Sequence, residues 1–428
     1  MVDVVVRKSE RFGGEIYAPP SKAYTHRMTI TALLSSGVSK ILNPLNSDDT
    51  QATLKATEAF GAETNLKQNC WTIKGTTQLK TPDSPIDCGE SGATLRFMIP
   101  IAALAAGSST FTLGESLRRR PLEPLLQSLK QLGAESSLQL SEKTTIVKVH
   151  GGGIKGGETS IRGDVSSQFI SGLLFACPRA EEDTEINVTT PLESRNYVQM
   201  TMEVLDKHNV KVFTSKDFRK LRVLCSQSYV PRCHEVPGDF SSAAFILAAA
   251  AITSSRVKVK NLNRHTKQGD KAILNILGKM GSKVTVKNGY VDVEGKPLNA
   301  VDVDAKDIPD LVPVCASLAC YSKGVTKLYN ARRLRYKESD RLSSLYTELK
   351  KMGADITIVE NGLIISGPCP LQGATIDPRN DHRIAMACAI AALDASGETI
   401  IQDSECVKKS YPNFFDDLQL LGANVLGR

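Results

Sequence analysis

Aromatic residues are scarce, at 5% of 428 positions, and Trp71 is the single tryptophan. So few rings, not interleaved with basic side chains, do not make a stacking platform for single-stranded nucleic acid. The ten cysteines (70, 88, 177, 225, 233, 315, 320, 369, 388 and 406) contain no C-x-x-C pair. Zinc-type spacing is therefore lacking, and they read as reduced, mostly buried thiols. No apolar stretch approaches the roughly eighteen residues of a spanning helix. The chain starts directly in a strand-like run (Val2, Val4, Val5, Val6) without the features of a signal peptide, so a cytoplasmic location is expected, with no membrane partner. Hydrophobic residues at 41% and charged residues at 23% are those of a folded globular protein. The length implies about two or three domains. Fifty-three Lys and Arg against 46 Asp and Glu leave a net charge of +7, which favours an anionic partner without identifying it.

Internal repetition is the strongest signal present. An amphipathic helix ending in Leu-Gly-Ala or a variant recurs, closing at Gly61, Gly133, Gly281, Gly353 and Gly422. A sixth copy has Asn209 in that place, asparagine being the other residue that tolerates a left-handed helix cap. A second phrase, a polar turn opening a helix of small apolar residues, recurs at Pro20-Ser21-Lys22, Glu90-Ser91-Gly92, Asp164-Val165-Ser166-Ser167-Gln168, Asp239-Phe240-Ser241, Asp307-Ile308-Pro309-Asp310 and Asn380-Asp381-His382-Arg383. Helices apolar nearly all round, such as 97–102 and 245–248, belong inside. The closing helices lie outside or half-buried: Leu342, Leu345, Leu349 and Met352 form one stripe and leave Ser343, Glu348, Lys350 and Lys351 for solvent. Short alternating β-branched runs lie between, including a hairpin about Asn361-Gly362. Six strand-and-helix units fill the chain, as one six-membered ring or as two domains of three.

Several segments carry chemistry. Gly151-Gly152-Gly153-Ile154-Lys155-Gly156 has the spacing of a dinucleotide loop, but strand-like residues follow it, so it reads as a hairpin turn. Lys22 lies in the first turn of a helix, where a cation opposes the helix dipole by roughly 0.3–1 kcal/mol. The ordinary reading is a lysine bent into water; the sharper one is an anion held jointly by Lys22 and free backbone N–H groups. Arg118-Arg119-Arg120-Pro121 precedes another helix and is either a solvated basic loop or an anion clamp. The densest cluster is 332–341, Arg-Arg-Leu-Arg-Tyr-Lys-Glu-Ser-Asp-Arg. Read plainly, Glu338 and Arg341 are an i, i+3 pair on a wet face. Several cations around acids also suit a site that grips an anion and keeps a carboxylate ready for proton transfer. Asp381-His382-Arg383 and Lys408-Lys409 repeat that theme.

Pro19-Pro20-Ser21-Lys22 with Arg27, Ser91-Gly92 with Arg96, Arg120-Pro121, Gly163-Asp164-Val165-Ser166-Ser167-Gln168-Phe169, Asp310, Lys337-Glu338-Ser339-Asp340-Arg341, Asp381-His382-Arg383 and Lys409 together resemble the enolpyruvyl transferases, and among them the 5-enolpyruvylshikimate-3-phosphate synthases. The resemblance runs through essentially the whole chain. It implies an α/β fold of two similar domains, each a pseudo-threefold inside-out α/β barrel of three repeated units, with buried parallel helices and outer sheets. Residues 20–236 would form one domain, holding the serines that bind shikimate 3-phosphate. Residues 1–19 with 237–428 would form the other, with the catalytic acid and base and residues for phosphoenolpyruvate.

The activity implied is transfer of the enolpyruvyl group of phosphoenolpyruvate to the 5-hydroxyl of shikimate 3-phosphate, releasing phosphate through a tetrahedral intermediate, as in aromatic amino acid biosynthesis. Carried over residue by residue, Lys22, Arg27, Ser166, Ser167, Gln168, Ser194, Asp310 and Lys337 would bind shikimate 3-phosphate. Lys22, Gly92, Arg120, Gln168, Arg341, Arg383 and Lys409 would bind phosphoenolpyruvate. Asp310 would accept the hydroxyl proton, and Glu338 or Lys22 would protonate the methylene carbon. Closure of the domains, no metal, no organic cofactor, no nucleic acid and a monomeric chain are further expectations of the likeness. Three positions depart from it: Ala23 replaces the usual serine, Glu90 a frequent asparagine and Ala93 a common threonine. The alternatives are a UDP-N-acetylglucosamine enolpyruvyl transferase, whose reactive loop cysteine is missing from 114–120, and a non-catalytic anion or RNA binder on the same scaffold.

Overall fold

The computed structural model describes residues 2–140 and 145–427. The chain divides into two compact units, Pro20–Val236 and Met1–Pro19 with Pro237–Arg428. The described residues form six four-stranded sheets, three in each unit, and all are built alike: one parallel strand pair followed by two antiparallel pairings. In the 20–236 unit the last strand, Cys233–Glu235, lies parallel to the first, Val38–Leu42, and ties the unit's end to its beginning. In the other unit the N-terminal strands do the same: Val4–Arg7 lies between Glu398–Ile401 and Asn424–Gly427, and Gly13–Tyr17 pairs with Arg256–Lys260.

Helices opened by the polar-turn phrase are the inner ones. Every residue of Phe240–Ile252, Val312–Cys320 and His382–Ala392 is buried, and these three pack against one another. Alanine, with no side-chain rotamers to freeze, allows that close approach. Lys22–Leu34, Gly92–Ala102 and Ser167–Ala176 are the counterparts in the 20–236 unit. All six helix-closing positions read from the repeat have positive φ: 103° at Gly61, 83° at Gly133, 64° at Asn209, 111° at Gly281, 94° at Gly353 and 90° at Gly422. The α/β architecture of repeated units, with helices inside and sheets outside, is the one expected. Among the described residues, no helix is long and apolar enough to cross a membrane.

Three local expectations need correction. Glu348 does not face solvent: it is 1% exposed, accepts the Asp377 N–H at 3.1 Å and pairs with Lys351 at 2.7 Å. A carboxylate at a buried stripe edge is tolerated because it gains those donors. The 362–367 hairpin exists, but Val359 pairs with Gly362, so its loop is Glu360-Asn361. Gly362 is needed for space, since a Cβ there would lie 1.7 Å from the Leu328 carbonyl oxygen. Finally, 151–156 is no hairpin turn. The strands flanking it, Thr145–Val149 and Gly157–Ile161, belong to different sheets. Instead, the N–H groups of Gly152 and Gly153 bond Ala105 and Ala103 carbonyls at 2.7 and 2.9 Å, satisfying the end of an inner helix.

Candidate active site

In the 20–236 unit, helix starts gather cations. Ser21 caps Lys22–Leu34 without a side-chain bond, and its hydroxyl oxygen is buried and unpartnered. Lys22 pairs with Asp49 at 2.8 Å. Asp49 stands in the first turn of Asp48–Ala59, where acids ordinarily complement the dipole, which hides its pairing from sequence reading. A buried polar chain fixes these helices mutually. His26 Nδ1 meets Thr53 Oγ1 at 2.7 Å, Thr53 meets Thr94 at 2.7 Å, and Thr94 meets Ser91 at 2.7 Å. Burial holds His26 well below its ordinary pKa, with the Lys22 and Arg27 charges acting in the same direction. It is a neutral strut.

Gly92, Arg96, Arg120 and Gln168 come together. A Cβ at Gly92 would lie 3.1 Å from Arg120 Nη1, 3.4 Å from Arg96 Nη1 and 3.6 Å from Gln168 Oε1. Arg96 donates to Gln168 Oε1 at 2.7 Å and stacks on Phe169. Arg120 donates to Ser116 Oγ at 3.0 Å. Glu90, one of the departures, accepts the Ser116 and Leu117 N–H groups at 3.2 and 2.9 Å and so shapes the loop that presents Arg120. Ser166 caps its helix by accepting the Gln168 N–H. Ser167 is buried beside it. Ser194 caps Arg195–Lys207 in a left-handed conformation, φ 52°, which is a strained place for serine. Arg27 is buried and already bonded to Thr201 Oγ1, the Ala23 carbonyl and the Tyr197 carbonyl, at 2.9, 2.8 and 3.0 Å. Its guanidinium also lies over the Phe97 and Tyr197 rings, and burial draws its pKa down to about 10.

In the other unit acids and bases interlock around Arg341, which is 1% exposed. Its Nε donates to Asp381 at 2.9 Å, Nη1 to Asp310 at 2.8 Å and Nη2 to Glu338 at 2.7 Å. The Glu338–Arg341 pair is real, but it joins a half-buried acid to a buried guanidinium and is not on a wet face. Asp340 caps Arg341–Lys351 through Ser343 N–H, which aims Arg341 inward. Asp310 sits in the short turn Pro309–Leu311 just ahead of an inner helix. Burial raises its pKa, but Arg383, Lys337 and Arg341 together outweigh that and hold it well below the ordinary value. Lys337 lies 3.5 Å from Asp310, and burial lowers its own pKa to about 8. Arg383 Nε is also 3.5 Å from Asp310. Lys409 donates to Asn380 O and Oδ1 at 2.6 and 2.7 Å, fixing a residue in left-handed conformation, φ 56°, ahead of Asp381. Asp381, Asp49 and Glu90 hold Arg341, Lys22 and the loop before Arg120, contacts that sequence reasoning did not assign. Among the described residues, no group of three or more His, Cys, Asp or Glu could hold a metal ion.

A family model for EPSP synthase (3-phosphoshikimate 1-carboxyvinyltransferase) matches residues 6–418. The 3-phosphoshikimate 1-carboxyvinyltransferase of Methanocaldococcus jannaschii is 44% identical over 426 residues, spanning 99% of either chain. That of Methanocella arvoryzae is 47% identical over 416 residues, 96% of this chain and 97% of the relative. A solved EPSP synthase from Acinetobacter baumannii superposes with a TM-score of 0.85 at 27% identity, covering 100% of both chains. A cluster of cations at helix starts in each unit and full-length likeness to these proteins lead to one assignment: the chain belongs to the EPSP synthase family.

Proposed function

We propose that this enzyme transfers the enolpyruvyl group of phosphoenolpyruvate to the 5-hydroxyl of shikimate 3-phosphate and releases phosphate. The observation that carries the reading is the Arg341 cluster, in which one buried guanidinium, with Lys337 and Arg383 alongside, keeps Asp310 ionised at a helix start. In this mechanism Asp310 takes the proton of the attacking hydroxyl. Its depressed pKa makes it a weak base at rest; anionic substrates that engage Arg383 and Lys337 remove part of that stabilisation and strengthen it. Glu338 or Lys22 protonates the methylene carbon, the hydroxyl oxygen adds to the neighbouring carbon, and reversed proton transfer expels phosphate. In the 20–236 unit, Arg27, Ser166, Ser167, Gln168 and Ser194 serve shikimate 3-phosphate, with Lys22 shared between the ligands, and Asp310 and Lys337 of the other unit serve the same substrate. Gly92 and Arg120 in the 20–236 unit, and Arg341, Arg383 and Lys409 in the other unit, serve phosphoenolpyruvate.

Steady-state phosphate release from phosphoenolpyruvate tests the reading. Release that depends on shikimate 3-phosphate supports it. Release that depends instead on UDP-N-acetylglucosamine supports the related transferase, and no release with either acceptor supports a binding protein.

A further inference from the structure

In both units the chain leaving a strand crosses the end of an inner helix. In the 20–236 unit the Thr76 N–H bonds the Leu33 carbonyl at 2.8 Å, and the Gly152 N–H bonds the Ala105 carbonyl at 2.7 Å. At the matching junction of the other unit the Cys369 N–H bonds the Cys320 carbonyl at 2.7 Å, so cysteine stands on both sides. Cys320 ends Val312–Cys320, at the end opposite Asp310, and Cys369 follows the strand Gly362–Gly367. Gly367 allows the close approach, since a Cβ there would lie 2.5 Å from the Ala319 and Ser322 carbonyl oxygens. A backbone bond of this kind sets Cα atoms about 5–6 Å apart, within the roughly 4.4–6.8 Å that a disulfide spans. The two thiols also hydrogen-bond to each other.

The pair is asymmetric. Cys320 is fully buried, whereas Cys369 is 8% exposed between two exposed prolines, Pro368 and Pro370, so a small oxidant meets Cys369 first. As a thiol, Cys369 donates to the Ser366 carbonyl at 3.0 Å. As a thiolate it accepts the Cys320 S–H and the Asp355 N–H, the latter at 3.4 Å. Those donors, with the Lys350 charge, draw it down to about 6 against burial and the Asp355 carboxylate. The same contact, with burial, keeps Cys320 protonated. Buried Cys388 and Tyr321, whose hydroxyl donates to the Ala391 carbonyl at 2.6 Å, are the other titratable groups beside the pair. We propose that Cys320 and Cys369 form a redox-modification site, at which a peroxide closes a reversible disulfide between the inner helix and the segment leaving its sheet. The Cys369 sulfur attacks a peroxide oxygen and the O–O bond breaks; the sulfur is oxidised to a sulfenic acid, and the peroxide is reduced, its leaving oxygen taking a proton from solvent. Cys320 sulfur then attacks Cys369 sulfur. The S–O bond breaks, and the hydroxyl leaves as water with the Cys320 proton.

The test treats the folded wild-type protein with hydrogen peroxide at neutral pH and maps its cysteines by mass spectrometry over time. A Cys320–Cys369 link that dithiothreitol reverses is expected, and Cys369 should be consumed about tenfold faster than the exposed Cys233. In Cys320→Ala, which lacks the resolving thiol, the sulfenic acid persists and dimedone should label Cys369. The wild-type map decides the question even where Cys320→Ala does not fold. Thiols at 320 and 369 that stay reduced after Cys233 is consumed, or a link that joins either of them to Cys388 instead, overturn the proposal.

Discussion

The two units share a repeat, yet apart from the Lys22–Asp49 pair they hold their helix-start arginines in different ways. In the 20–236 unit, Arg96 and Arg120 are oriented largely by neutral groups, Gln168 and Ser116, and the histidine of the inner-helix network is neutral. In the other unit, Arg341 is shared by Asp381, Asp310 and Glu338, and Lys337 and Arg383 crowd the same acids. Cations held by neutral groups keep their full charge for an incoming anion. Cations interlocked with carboxylates tune those carboxylates instead. On the proposed assignment the same helix-start geometry serves mainly to grip anions in one unit, where Lys22 is also an alternative proton donor, and mainly to transfer protons in the other, and the difference lies in side chains, not in backbone architecture.

The largest expected effect comes from removing carboxylates at the proton-transfer end. Asp310→Asn and Glu338→Gln should fold normally and lower kcat at least about a hundredfold; unchanged kcat in both would remove them from the chemistry. Arg341→Met breaks the network that defines this unit. It strands the buried Asp381 and the half-buried Asp310 and Glu338 and should cost about 3–5 kcal/mol in denaturant unfolding. Arg96→Met in the other unit removes a donor to the neutral Gln168, so its stability loss should be much smaller and its KM increase larger. Equal stability losses would erase the contrast.

A smaller effect belongs to the gripping cluster. Gly92→Ala places a methyl 3.1 Å from Arg120 Nη1, so the guanidinium must shift. The KM for phosphoenolpyruvate should rise about tenfold, near 1.4 kcal/mol, with kcat changed far less. An unchanged KM would mean that Arg120 does not face this substrate.

Acid should also separate the units. His26, His208 and His234 are in the 20–236 unit, and burial draws the last two down to about 3 and about 4. All three are lowered, so the unfolded chain binds more protons below its own histidine pKa. Their contribution is complete above about pH 6.5 and is lost as pH falls through 6.5 toward 4, by up to about 1.4 kcal/mol per unit for each group. Hydrogen exchange, corrected for intrinsic rate, should show protection falling faster in 20–236 than elsewhere between pH 6.5 and 4.5. Equal losses would mean the histidines do not set acid stability.

Periodicity reveals the repeat because every copy solves the same local problem: the helix must end, and glycine or asparagine reaches positive φ cheaply. Helix starts are legible for a related reason. Ser91, Ser166, Asp239 and Asp381 all accept a backbone N–H two or three residues on. Pairings across the repeat are not legible. Nothing near Asp49 announces Lys22, 27 residues away, and nothing near Asp381 announces Arg341. Glu348 is misplaced by its helical face because its partner, the Asp377 N–H, comes from a different segment. Local rules fix where elements begin and end, whereas burial of charge depends on which distant elements supply donors.

The smallest prediction concerns the single repeat anchor that is not glycine. Asn209, at φ 64°, closes its helix in the 20–236 unit, where the matching position in the next repeat is Gly281 at φ 111°. If the anchors are equivalent, Asn209→Gly relieves a modest left-handed penalty but gives the unfolded chain more freedom, so the net change should stay within about 1 kcal/mol. Gly281→Ala has no such compensation. It forces a Cβ into the left-handed region, 3.0 Å from the Pro297 carbonyl oxygen, and should destabilise by about 1–2 kcal/mol. Urea unfolding of both variants checks the pair. A larger loss at Asn209 than at Gly281 would show that the asparagine side chain does more than tolerate the turn, and that the two repeats close their helices by different means.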